Sequence, residues 1–308
     1  MHDAIIIGAG PAGLSALLWC DDLGLRALLL ERRAQTGGQL DWIHNPVKNH
    51  LGTLEAPNGR AMKELFAAQL AARNLAAHTG AEVTHLEAGA RCVTLADGEQ
   101  ILCANLILAT GLRRRKLNVP GEEEFAGRGV SDSGTRDRAL LAGKTICVVG
   151  GGDAAIENAL LLAEVCPQIF LVHRGESLRA RPEFVARLMR EPRITSLLNA
   201  TIENINGDAH VRSIEIKKYQ DGDYVHERLS ANAVLVRIGY EPNSELLRGQ
   251  VRTDEAGYLS VNGEYETNVR GVFAVGDVAN PYAPTISGAV GAGATVAKVI
   301  DARRHEAS

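Results

Sequence analysis

The stretch Ala4–Leu18, AIIIGAGPAGLSALL, joins an apolar run to a small-residue apolar segment through Gly8, Gly10 and Gly13. The run reads as a buried strand and the segment as a helix. Glycines at this spacing let the backbone turn tightly and approach a pyrophosphate, whose charge then rests on the N-terminus of the following helix. Within that turn Ala12 is small enough for the same close approach. A lone Gly-x-Gly-x-x-Gly is weak evidence, but here a strand precedes it and a helix follows. The same grammar returns in Thr145–Ala163, TICVVGGGDAAIENALLLA, where Gly150 and Gly152 lead into Asp153 and Ala154. Two dinucleotide loops in 308 residues suggest a flavin paired with a nicotinamide.

The strand after each loop tells the two ligands apart. The first, RALLLE, ends at Glu31, a carboxylate placed to accept from a ribose 2′-hydroxyl. The second, IFLVHR, ends at His173 and Arg174, with Arg179 about one turn further on. A carboxylate would repel a 2′-phosphate, whereas guanidinium groups bind it through forked, charge-assisted hydrogen bonds. The first site therefore reads as FAD or NAD, and the second as NADPH.

A chain of 308 residues exceeds the size at which one core keeps growing, so two domains are expected. Hydrophobic residues make up 45% of the chain, net charge is −4, and only Arg113-Arg114-Arg115-Lys116 concentrates positive charge. Nucleic acid is therefore not an expected partner. No apolar run approaches the ~20 residues that span a bilayer, and the chain starts directly into a strand, so a cytoplasmic protein with no membrane partner is expected. Five cysteines without a C-x-x-C pair fit neither a disulfide framework nor a zinc site. A two-residue turn at Asp97-Gly98 would set Cys92 across from Cys103, as two thiols in a reducing compartment.

The chain plan is βαβ over 3–31, a helix over about 58–76, and a β meander ending in NLILATG at 105–111. LRRRKLNVPGEEE then reads as a hinge, and a second βαβ begins near Lys144. A second meander (IEIKKYQDG, then ANAVLVRIGYEPN) leads to GVFAVGDV and a long small-residue helix over about 285–303. That last part has no nucleotide loop of its own and must complete the first domain. The fold class is α/β, with two Rossmann-like dinucleotide-binding domains. The expected division is 1–116 with 242–308 for FAD, and 117–241, inserted, for NAD(P)H.

With these motifs in order, the chain resembles the low-molecular-weight thioredoxin reductase family of two-dinucleotide flavoproteins. The resemblance runs end to end through GAGPAGL, Gly37-Gly38-Gln39-Leu40, ILATG, VPGEE, VVGGGDAAIENA, VHR, RIGYEPN and GVFAVGDV. It implies FAD and NADPH as cofactors and a homodimer. It also implies that Gly38, Gln39 and Leu40 lie along the flavin, with Asn49, Thr110 and Gly111 in the same site. Gly276 and Asp277 are then at the ribityl-phosphate region, and Thr285, Ile286 and Ser287 open a helix whose dipole stabilises negative charge on a reduced flavin.

One departure bears on function. Where the family carries VS-x-C-x-x-C-D, this chain reads Val130-Ser131-Asp132-Ser133-Gly134-Thr135-Arg136-Asp137, with Ser133 and Arg136 at the cysteine positions. A hydroxyl and a guanidinium cannot form a redox disulfide, so no dithiol relay and no catalytic side chain is expected. A second departure is Gly175, followed by Glu176, where the family repeats its arginine. One phosphate ligand is lost, so NADPH is expected over NADH on Arg174 and Arg179 alone.

The leading reading is hydride transfer from NADPH to FAD, the inserted domain rotating to bring the rings together, with electrons passing directly to an external acceptor. Ferredoxin- or flavodoxin-NADP reductases are the nearest analogues, although their C-terminal extension has no counterpart after Arg303-Arg304-His305-Glu306-Ala307-Ser308. A carrier protein, a quinone-like molecule and dioxygen all stay open. A disulfide reductase acting on a substrate disulfide at the flavin is the alternative, and a nucleotide-sensing protein without turnover is another. Trp42, His44 and Tyr282 lie in segments that reach a flavin or simply pack at a domain edge. The basic run 113–116 is either an attractor for an acidic carrier or a solvated hinge.

Overall fold

The computed structural model describes residues 1–53, 57–220 and 222–306. The α/β chain divides into two compact units, Met1–Arg113 with Glu241–Ser308, and Arg114–Tyr240. Ala307 and Ser308, the end of the expected short C-terminus, lie outside the described residues.

In the first unit, β1 (His2–Ile7) runs through the Gly8–Gly13 turn into α1 (Pro11–Asp22), and β2 (Ala27–Glu31) returns parallel to β1. Next comes α2 (Gly59–Ala71), whose N-cap Asn58 accepts from the Ala61 N–H at 3.0 Å. This helix stops short of the expected 76 because Asn74 turns the chain with a φ of 57°, a left-handed conformation that asparagine tolerates. Then follow β3 (His78–Thr79), β4 (Val83–Glu87), β5 (Cys92–Leu95), β6 (Gln100–Leu108) and β7 (Leu112–Arg114). The apolar half of β6 pairs parallel with β1, Ile5 beside Leu106 and Ile7 beside Leu108, while its first half pairs antiparallel with β5.

The expected pairing of Cys92 with Cys103 is corrected here. Leu95 donates to the Glu99 carbonyl around a three-residue loop, and Gly98 takes a φ of 91°. That extra residue shifts the register, so Cys92 faces Leu102. All five cysteines are free thiols.

The second unit contains β8 (Val130–Ser131), α3 (Gly134–Leu141), β9 (Thr145–Val149), α4 (Asp153–Ala163), β10 (Gln168–Val172), α5 (Pro182–Leu188) and β11 (Ile194–Leu197). They are followed by β12 (Ala200–Gly207), β13 (Val211–Gln220), β14 (Asp223–Ser230) and β15 (Ala233–Val236). The parallel sheet has the order β11-β10-β9-β15-β8. Its central strands are near-continuous apolar runs, as both faces of a parallel sheet require. The second meander is therefore only partly as expected: β12-β13-β14 form it, but AVLV at 233–236 is buried in the parallel sheet beside β9.

The chain closes with β16 (Tyr240–Pro242), β17 (Val272–Ala274) and α6 (Ile286–Glu306). β17 extends the first sheet by pairing parallel with β6, Val272 beside Leu106. The small-residue composition of α6 follows from its packing on α1. A Cβ on Gly293 would come within 2.2 Å of the Ala12 carbonyl oxygen, and Ser15 Oγ donates to the Val290 carbonyl at 2.7 Å.

Candidate functional site

The first glycine loop is built from three different requirements. Gly8 has a φ of 104°, and a Cβ there would lie 2.5 Å from the Ala109 carbonyl oxygen. A Cβ on Gly13 would lie 1.9 Å from the Gly8 oxygen, so this position serves the contact of helix with turn. Gly10 is different: its φ is −79° and nothing approaches its Cβ position closer than Gly38 Cα at 4.0 Å. Protein packing explains the first two glycines, whereas the space at the third is open, as the approach of a pyrophosphate would require. Consistent with that, Gly10 offers α1 no side-chain cap, although Asn58, Ser133 and Thr285 all cap the helices that follow them. The first-turn N–H groups of α1 thus have no side-chain acceptor, which suits an anion.

Several expected site residues converge on this loop. Gly37 donates to the Ala9 carbonyl at 2.8 Å, and a Cβ on Gly38 would meet Gly10 Cα at 3.0 Å. A Cβ on Gly276 would lie 2.9 Å from that of Ala12. Gln39 Nε2 donates to Asp277 Oδ2 at 2.8 Å, and burial raises the Asp277 carboxyl above its ordinary range, opposed by that hydrogen bond. Glu31 is buried, and its two oxygens accept from the backbone N–H of Ala9 at 2.8 Å and of Arg33 at 2.9 Å. Two of its acceptor positions hold the turn together, and the remaining lone pairs are what a ribose would use.

Thr110 and Gly111 are locked to Asn243, the last residue of RIGYEPN, to which the sequence reading gave no site role. Thr110 Oγ1 donates to the Asn243 carbonyl at 2.6 Å, Asn243 Nδ2 to the Thr110 carbonyl at 2.8 Å, and the Asn243 N–H to Gly111 at 2.9 Å. Thr285 caps α6 through the Gly288 N–H at 3.1 Å, Ile286 is half-buried, and Ser287 Oγ lies 3.0 Å from His50 Nδ1. The Leu40 side chain is buried with Val47 and Met62 in a small apolar cluster. Asn49 is exposed, Tyr282 is 96% exposed, and Trp42 and His44 are half-buried.

The second loop repeats the division of labour. Gly150 has a φ of 143°, and a Cβ on it would lie 2.3 Å from the Arg237 carbonyl oxygen; one on Gly151 would strike the His173 ring at 2.4 Å. Around Gly152, with a φ of −97°, there is nothing within 4 Å, and α4 likewise has no side-chain cap. Asp153 opens α4, and Ala154 beside it is exposed. Burial, together with Arg179 and Arg174 nearby, pushes the His173 imidazole below its ordinary range, against a hydrogen bond that the imidazole donates to the Ser177 backbone. His173 is thus neutral at pH 7, and the positive charge beside it is that of the two arginines.

Arg174 and Arg179 are both exposed. Arg179 lies in irregular chain; its backbone N–H reaches the Gly151 carbonyl at 2.7 Å, tying the arm to the loop.

At the other expected position, Ser133 is buried and caps α3, its Oγ accepting from the Arg136 N–H at 3.3 Å. The Arg136 guanidinium bonds Asp137 twice at 2.8 Å and lies 3.1 Å from Asp132. Asp137 also accepts from Ser131 Oγ at 2.5 Å. The basic run is equally committed. Arg113 pairs with Glu241 at 2.8 Å and Glu245 at 2.5 Å, and Lys116 with Glu123 at 2.7 Å. Among the described residues no cluster of His, Cys, Asp or Glu could hold a metal ion, and no helix is long and apolar enough to cross a membrane.

Two glycine turns, each poised on an uncapped helix, define a two-dinucleotide oxidoreductase. The pyridine nucleotide-disulphide oxidoreductase family matches residues 2–293, and the chain belongs to it. The thioredoxin reductase of Mycolicibacterium smegmatis is 36% identical over 307 residues, covering 99% of this chain and 96% of that protein. That of Chlamydia trachomatis is 35% identical over 308 residues, with 97% of each chain covered. The crystal structure of Lactococcus lactis thioredoxin reductase matches with a TM-score of 0.82 at 31% identity, covering 99% of this chain and 100% of that one. The protein is thus a flavoprotein oxidoreductase of the thioredoxin and disulfide reductase kind, a family whose cofactors are FAD and NADPH.

Proposed function

We propose that the chain is an FAD-dependent NAD(P)H oxidoreductase that hands electrons directly to an external acceptor, a ferredoxin- or flavodoxin-type carrier or a small molecule, without a resident dithiol. The observation that carries this reading is the state of Ser133 and Arg136: one is spent as a helix cap and the other is bound to two aspartates. No cysteine replaces them. Cys20, Cys103, Cys147 and Cys166 are buried, and burial raises all four thiols, Cys20 to about 12 and Cys103 to about 11, which suppresses the reactive thiolate.

The first unit is assigned to FAD and the second to NADPH, with boundaries at 113/114 and 240/241. Bound there, the two cofactors supply hydride acceptance and hydride delivery. The chain's own part is positional. Gly10 and the first turn of α1 receive the FAD pyrophosphate, Glu31 fixes the ribose, and Gln39 orients Asp277. Gly152 and α4 receive the coenzyme pyrophosphate, while Arg174 and Arg179 select the 2′-phosphate over NADH. A cytoplasmic location and a homodimer belong to the same reading; light scattering at micromolar concentration is expected to give twice the chain mass of 32.9 kDa.

The test is thiol independence. Alkylating the cysteines, or replacing all five by serine, is expected to leave NADPH-driven reduction of ferricyanide nearly unchanged, and NADPH titration is expected to end at two electrons per subunit. Loss of turnover with FAD still bound would reverse the reading in favour of a disulfide reductase. Absence of any NADPH consumption would leave a nucleotide-binding protein.

A further inference from the structure

Asp153 is the first residue of α4, directly after the one loop position whose Cβ space is open. A carboxylate at a helix N-terminus suits the helix dipole, yet beside a pyrophosphate it is a like charge. Hydrogen bonds from the Arg181 backbone and side chain hold this carboxyl below its usual range, so it stays ionised at neutral pH, and a nearby counter-charge offsets its repulsion of a phosphate.

Arg181 supplies that charge from 28 residues away. Its backbone N–H reaches Asp153 Oδ1 at 2.8 Å and its Nε reaches Oδ2 at 2.7 Å. The same guanidinium lies 4.6 Å over the Phe184 ring and 3.3 Å from Glu183, so its Nε and one terminal nitrogen are placed on protein carboxylates. The side chain is thus directed at Asp153, although it sits on the same arm as Arg174 and Arg179.

Resting on the coenzyme reading of this loop, we propose that Arg181 is a positioning residue that neutralises Asp153 beside the coenzyme pyrophosphate. It thereby serves NADPH and NADH alike, while Arg174 and Arg179 discriminate between them. The division follows from chemistry, because the pyrophosphate is common to both coenzymes and the 2′-phosphate is not. Arg181→Ala isolates the charge, since the main-chain bond to Oδ1 survives the substitution.

The experiment titrates NADP+ and NAD+ into the FAD-loaded protein by calorimetry. Arg181→Ala is expected to weaken both by about 10-fold, a change that one uncompensated charge readily produces. Arg181→Lys, which keeps the charge, and the double variant Asp153→Asn with Arg181→Ala, which removes both charges, are expected to bind close to the parent. Arg174→Ala with Arg179→Ala is expected to weaken NADP+ by ~10-fold or more and to spare NAD+. Unchanged affinity in Arg181→Ala, a loss confined to NADP+, or failure of the double variant to recover overturns the clamp while leaving the coenzyme reading in place. Equal losses of both ligands from the Arg174 and Arg179 pair overturn the discrimination, and no binding by the parent protein overturns the coenzyme reading and the clamp together.

Discussion

Gly10→Val is expected to give a folded, colourless protein. The backbone at Gly10, φ −79° and ψ −178°, is ordinary extended chain, which a β-branched residue adopts without strain. Its Cβ position has no protein atom nearer than 4.0 Å, so an added Cβ meets none of the chain's own packing. What the added side chain fills is the space through which a pyrophosphate reaches the α1 N–H groups. Losing that approach should weaken FAD at least ~100-fold, which is about 2.8 kcal/mol and enough to strip the flavin during purification. Gly13→Ala provides the contrast, because its Cβ would press to 1.9 Å on the Gly8 oxygen and disturb the turn itself. The measurement is flavin absorbance per chain alongside the thermal transition. A yellow Gly10→Val protein with parental flavin content would show that the cradle belongs to something else.

This contrast also separates what a sequence can and cannot disclose. The glycine turns were legible because their spacing, with an apolar strand before and a small-residue helix after, is contiguous in the chain, even though the contacts that exclude a side chain at Gly8 and Gly150 come from Ala109 and Arg237. The insertion of one unit into the other was legible because GVFAVGDV has no nucleotide loop, and β17 does complete the first sheet beside β6. Register was not legible: Asp97-Gly98 fits a two-residue turn as well as the observed three-residue loop, and the difference of one residue separates Cys92 from Cys103. Partners distant in the chain were equally hidden. Asn243 closes on Thr110 and Gly111 through its amide side chain, the Thr110 hydroxyl and backbone groups, across 133 residues of sequence that no local pattern bridges. Arg181 did have a signal, since an acid opening a phosphate-binding helix calls for a cation, but nothing local says which of the following arginines answers it. Leu40 shows that a residue inside a motif can also send its side chain into the core.

Gly152→Val should have a large effect on coenzyme and none on flavin. The backbone there, φ −97° and ψ 178°, again accepts a branched residue, and nothing lies within 4 Å of its Cβ position. Its neighbour Gly151 is no equivalent, because a Cβ there would strike the His173 ring at 2.4 Å and move the strand end that carries Arg174. The branched side chain at 152 would occupy the pyrophosphate's approach to α4, which has no side-chain cap to fall back on. NADPH and NADH should therefore both lose at least ~100-fold in affinity, since the phosphates they share are what is displaced. The protein should remain yellow and should still be reduced by dithionite, which needs no nucleotide site. Rapid mixing with NADPH under anaerobic conditions reads the first effect, and flavin content reads the second. Retention of NADPH-driven bleaching at parental coenzyme concentrations would mean that hydride enters by another route, and the assignment of the second loop to the nicotinamide coenzyme would fall with it.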